Sequence, residues 1–171
     1  MKVSPNKNDV ESVSNHIVIM NKNELYLKTA FCCIACDGCI AEEELSLVNS
    51  FVHESEYFNG INAEDIINQY IKEINEQGKY FLARYLDDIV ELNLSLTDEI
   101  KLAEIAIKMI EADNNIEYSE ISFFKEIRKR LSFSDAQFIS AFPNKEDYIL
   151  PDIEPIIEPS ISFNFSSINF D

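Results

Sequence analysis

AFCCIACDGCIAEEE, from Ala30 to Glu44, is an almost wholly apolar helical run that stops at Asp37-Gly38 and restarts in three glutamates. Glycine supplies the left-handed conformation by which a chain leaves a helix. Glutamates suit the exposed amides and positive dipole end of the helix that follows. The stretch therefore reads as helix, turn, helix. A second copy lies 76 residues on: AIKMIEADNNIEYSE, Ala106 to Glu120, sets Ala106 against Ala30, Ile110 against Ile34, Asp113 against Asp37, Ile116 against Ile40 and Glu120 against Glu44. One device used twice at a fixed offset implies an internal duplication packed about a pseudo-two-fold axis.

Working outward, Leu25, Leu27, Ala30, Phe31, Ile34 and Cys36 recur at helical spacing from about Asn23. The second helix starts near Ala41, buries Leu45, Val48, Phe51 and Val52, and is expected to run to Asn59-Gly60. Asn62, with Asp65 three residues later, caps a helix whose inner face is Ile66, Ile67, Tyr70, Ile71 and Ile74. Gly78 separates it from a helix burying Phe81, Leu82, Tyr85, Leu86 and Ile89. The second unit is expected to open at Thr97 and run to Ala112, with Lys101, Glu104, Lys108 and Glu111 as a solvated stripe. A helix carrying Ile121, Phe124, Ile127 and Leu131 and a short one capped by Ser134 close the unit. The expected fold is all-α, a bundle of about seven helices built from two related helix-turn-helix repeats. Residues 1–20 form an N-terminal arm with an apolar patch from His16 to Met20, and 21–142 form the helical domain. Residues 143–171 read as a largely extended, Pro-containing acidic tail, in which Ile161, Phe163 and Phe165 alternate with polar neighbours.

A chain of 171 residues suits one domain with an ordinary core. A formal charge of -17 argues against nucleic acid, whose phosphates would be repelled. The natural partner is a basic protein or peptide, or a cation, and any membrane association is expected to run through another protein. Residues 1–20 lack the pattern of a signal peptide and no apolar run is long enough to span a bilayer, so direct membrane insertion is not expected. All four cysteines fall between positions 32 and 39, unlike a secreted disulfide framework, and a reducing, cytoplasmic setting is expected. No Ser-His-Asp set, phosphate-binding glycine loop or paired catalytic carboxylates are evident, so the chain reads as a non-enzyme.

Asp37-Gly38-x-Ile40 with Glu44, on an alanine-rich helix turn and echoed from Asp113 to Glu120, resembles the tellurite-resistance TerB family over about residues 23–142. That resemblance implies a helical bundle of two related halves. It also implies a role in bacterial stress response or in phage and colicin resistance, and divalent metal held by acidic residues. The second copy departs from the family pattern at Asn114, where glycine is favoured, and the first at Cys39 and Ala41.

If the halves pack about a pseudo-two-fold, Asp37, Glu44, Asp113 and Glu120 approach one another. An oxygen-only set would take calcium or magnesium before zinc. The other reading is that each aspartate ends a helix and each glutamate caps the next. An EF-hand loop does not fit, because its first and third positions would be Cys33 and Ala35. Cys33, Cys36 and Cys39 keep the C-x-x-C-x-x-C spacing of a cluster or zinc site. Since Cys33 aligns with Met109 and Cys36 with Ala112, the thiols read instead as small hydrophobes filling a core. Leu25, Cys32 and Ala35 align with Lys101, Lys108 and Glu111, so a face solvated in the second half is apolar in the first. Arm, tail or partner is expected to cover it. Two functions follow: a TerB-like scaffold or sensor in a stress or defence system, tuned by divalent cation, or an acidic immunity protein that neutralises a basic toxin or effector.

Overall fold

The structure is a computed structural model that describes residues 20–38, 40, 42–112 and 115–151. Asp113, Cys39, the patch before Met20 and the alternating stretch from Ile161 to Phe165 lie outside the described residues. Among the described residues seven α-helices follow one another: α1 (Lys22–Ala35), α2 (Glu42–Glu54), α3 (Ala63–Gln77), α4 (Lys79–Glu91), α5 (Leu96–Ile110), α6 (Tyr118–Arg128) and α7 (Asp135–Ala141). Short 3-10 turns occupy Glu56–Phe58 and Glu146–Tyr148. The all-α expectation holds among the described residues.

α1 is the axis of the molecule, buried on every side from Leu25 to Ala35. Its entry is fixed by a capping box: the Asn21 side chain accepts the Glu24 amide at 2.9 Å and Glu24 accepts the Asn21 amide at 3.2 Å. α5 lies alongside α1 in the same direction. At one end Asp98, in the first turn of α5, accepts a hydrogen bond from Tyr26 Oη (3.0 Å) and pairs with Lys22 (3.0 Å). At the other end the turns that follow both helices face a common cavity. The matched positions of the repeat match in burial too: Ala30 and Ala106, Cys33 and Met109, and Ile34 and Ile110 are all core.

The apolar face through Leu25, Cys32 and Ala35 is buried, and among the described residues the α3–α4 hairpin lies against α1. α3 and α4 both pack on α1. Tyr70 and Phe81 from this hairpin meet Phe31 at ring separations of 5.6 and 5.8 Å, and Tyr85 Oη donates to Thr29 Oγ1 at 2.9 Å. Lys28 of α1 is enclosed as well, with Nζ 2.6 Å from Asp88 of α4 and 4.9 Å from the centre of the Phe81 ring. A helix wrapped on all sides has no room for a solvated stripe, which explains why the first repeat is apolar where the second is charged. The α5 stripe is itself only partly wet. Lys101 lies over the Tyr57 ring, and Glu111 pairs with Lys145 and accepts from Tyr148 Oη.

Three boundaries differ from the sequence expectation. α2 stops at Glu54, because Ser55 accepts the Tyr57 amide and starts a 3-10 turn before Gly60 reverses the chain at φ +87°. α5 opens at Ser95, not Thr97. Ser95 Oγ accepts the Asp98 amide at 3.3 Å and donates to the Asp98 carboxylate at 2.7 Å, so the earlier hydroxyl takes the cap. The packed body also continues beyond Phe142. Tyr148 is 4% exposed, and its ring stands edge-on to Phe124 at 5.2 Å. Tyr148, in the stretch read as tail, therefore belongs to the core, while Pro143, Asn144, Glu146 and Asp147 before it are exposed.

Candidate functional site

The turn after α1 and the start of α6 meet at one end of the bundle. Gly38, at φ +91°, makes the first turn possible; nothing lies within 4 Å of where a Cβ would stand, so the requirement is backbone conformation and not space. α2 then opens with Glu42, Glu43 and Glu44, and α6 with a capping box in which Glu120 accepts the Glu117 amide at 2.8 Å. Asp37, Glu44, Glu117 and Glu120 line a small cavity of about 30 Å³ together with Asn115, Cys33 and Cys36. That is room for a water or a single ion.

Three of the four acidic residues singled out in the sequence, Asp37, Glu44 and Glu120, are thus brought to one cavity, and the fourth, Asp113, lies outside the described residues. Proximity is not yet coordination. Among the described residues no group of three or more His, Cys, Asp or Glu side chains is arranged to hold a metal ion. One physical reason is visible: an oxygen of Glu120 is turned to the Glu117 amide. Asp37, Glu44, Asn115 and Glu120 are none of them without a partner. The described carboxylates do not by themselves fit a calcium or magnesium ion. Glu117, not singled out in the sequence, joins them as the N-cap of α6, a position legible only once the helix start is known.

Two of the three described cysteines, Cys32 and Cys33, are core residues. Cys32 and Cys33 are buried, and burial pushes both thiols well above their ordinary range. Cys36 is half-buried and donates to the Cys33 carbonyl at 3.2 Å. Burial first, then the negative charges of Glu120, Asp37 and Glu44, push its thiol up to about 12. A thiol held protonated is a poor nucleophile and a poor metal ligand. The carboxylates of Asp37, Glu44, Glu117 and Glu120 that line it make the cavity an acidic one.

A larger polar cavity of about 710 Å³ sits at the other end of α1, between α3 and α4, where Lys28 and Asp88 meet Glu24, Glu73, Arg84 and Glu91. No helix among the described residues is long and apolar enough to cross a membrane. The described chain is an all-helical bundle with an acidic junction between two like turns. Comparison with known protein families, with curated proteins and with solved structures finds no match.

Proposed function

We propose that this is a non-enzymatic, TerB-like interaction protein, a scaffold or sensor of a bacterial stress-response or defence system, which recognises a basic protein partner. The observation that carries the reading is the meeting of the two like turns, which sets Asp37, Glu44, Glu117 and Glu120 around one small cavity in a chain of charge -17. Such a surface raises association rates with a cationic partner and loses that advantage as salt screens it. A lysine-rich decapeptide serves as the probe. Binding to the full chain is expected to weaken at least tenfold in a Asp37→Asn, Glu44→Gln, Glu117→Gln variant, and its salt dependence to flatten. Unchanged affinity and salt slope in a folded variant would defeat the proposal. Capture of a basic toxin or effector is the alternative use of the same surface; it predicts stoichiometric inhibition of that toxin, where a scaffold leaves its partner active.

Divalent cation at the junction is a second reading, supported by the convergence of Asp37, Glu44 and Glu120 and dependent on Asp113 to complete a ligand set. Saturation at a hundredfold above the dissociation constant adds about 2.7 kcal/mol to stability. Equal melting temperatures in calcium, magnesium and chelator would dispose of it, as would a shift that survives Asp37→Asn with Asp113→Asn.

A further inference from the structure

Three helices converge on the cleft of about 710 Å³ beside the start of α1, a volume in the range that holds a small organic ligand. α1 and α4 run antiparallel here: Phe31 meets Phe81 at 5.8 Å, Thr29 bonds Tyr85 and Lys28 bonds Asp88. One turn further along, the same pairing sets Glu24 level with Glu91, and both line the cleft. α3 and α4 form a hairpin about Gly78, which sets Glu73 level with Arg84. The cleft therefore has two poles, marked on α4 by Arg84 and Glu91, about 10 Å apart along the helix axis. Between the poles lie the Lys28–Asp88 pair and the apolar groups of Tyr70, Ile66 and Leu92.

The charges differ from pole to pole. Lys28, 6% exposed at its side chain, has Asp88 as its one oxygen partner among the described residues, so the middle of the cleft is a neutral pair with donor capacity to spare. Glu24 and Glu91 make one pole anionic. Glu73 and Arg84 make the other dipolar, with one charge of each sign, and among the described residues they form no ion pair with each other. Four carboxylates against two cations leave the cleft anionic, so a plain anion is repelled. An apolar molecule would strip water from the charged groups and pair with none of them. A diamine answers Glu24 and Glu91 but sets its second ammonium beside Arg84. A free α-amino acid with a basic side chain answers every group: one cation at the anionic pole, then an aliphatic stem, then a head that carries both an ammonium and a carboxylate. Extended lysine holds its side-chain nitrogen about 6 Å from its α-carbon, and the long Arg84 and Glu91 side chains can close the remaining distance from either end.

We propose that the cleft between α1, α3 and α4 binds a free basic α-amino acid of the lysine or arginine type, with its α-carboxylate on Arg84, its α-ammonium on Glu73 and its side-chain cation at Glu24 and Glu91. The site is separate from the acidic junction at the other end of α1 and does not depend on the identity of any protein partner. The test is calorimetric titration of the full chain with lysine and arginine, beside norleucine, which lacks the side-chain cation, and cadaverine, which lacks the carboxylate. Saturable binding of lysine or arginine with a dissociation constant below about 10 mM is expected, at least about tenfold tighter than either analogue. Arg84 and Glu91 are both exposed, so Arg84→Gln and Glu91→Gln are expected to leave the urea midpoint of the free protein unchanged while each weakens binding about tenfold through the loss of a charge-assisted hydrogen bond. No saturable binding below about 10 mM, equal binding of cadaverine or norleucine, or an affinity that survives both substitutions overturns the proposal.

Discussion

Removing the carboxylate of Asp88 tests whether the α3–α4 hairpin clamps α1 through a buried charge. Lys28 is 6% exposed at its side chain and Asp88 18%, with 2.6 Å between Nζ and Oδ2. Breaking a fully buried pair by deleting one partner costs about 3–5 kcal/mol, because the other charge stays desolvated. Three features reduce that here. The Phe81 and Tyr70 rings, 4.9 and 5.9 Å from Nζ, keep about 1 kcal/mol of attraction for the cation. The adjoining cavity of about 710 Å³ admits water. Alanine also suits a helix interior better than aspartate by about 0.5 kcal/mol. Asp88→Ala should therefore cost about 2 kcal/mol. Lys28→Met, which keeps the apolar stem and leaves Asp88 free to face the cavity, should cost under about 1 kcal/mol, and the double variant should resemble it. With a urea slope of about 2 kcal/mol per molar, Asp88→Ala lowers the unfolding midpoint by about 1 M. A loss below about 0.5 kcal/mol for Asp88→Ala, or an equal loss for Lys28→Met, would refute the reasoning.

Asp98 gives a pH dependence with a definite sign. The Ser95 hydroxyl, then Lys22 and Tyr26, hold its carboxyl below the usual range against partial burial. A folded pKa below the unfolded value of about 3.9 contributes stability above that pH, and loses it as pH falls through the folded value. Urea midpoints should drop below about pH 4, and Asp98→Asn should flatten that acid limb. The thiol shift predicts protection: in a Cys39→Ser background, native protein at pH 8 should react with iodoacetamide about a thousandfold more slowly than unfolded protein, since Cys32, Cys33 and Cys36 are all held protonated. Tyr148→Ala should cost about 3 kcal/mol through its contact with Phe124 and lower the melting temperature by on the order of 10 °C. A change under about 2 °C would return the boundary of the folded body to Phe142.

Periodicity and punctuation determined the helices. Apolar residues at helical spacing, Gly38, Gly60 and Gly78 at positive φ, and caps at Asn62 and Ser134 are local properties, so the sequence carries them in full. The 76-residue repeat likewise predicted which positions share a core, and Cys33 with Met109 bears it out. What the tertiary structure decided is which face meets which. That α1 is wrapped on all sides follows from the α3–α4 hairpin lying over it, a contact between residues up to 60 apart such as Lys28 and Asp88. The site divides the same way. Asp37, Glu44 and Glu120 stood out by residue type and register, whereas their common cavity and the addition of Glu117 depend on two turns meeting at the end of α1 and α5. Local sequence fixes where a chain bends. Which bends become neighbours is settled by the packing of whole helices, because only burial of their combined apolar faces selects one arrangement over the others.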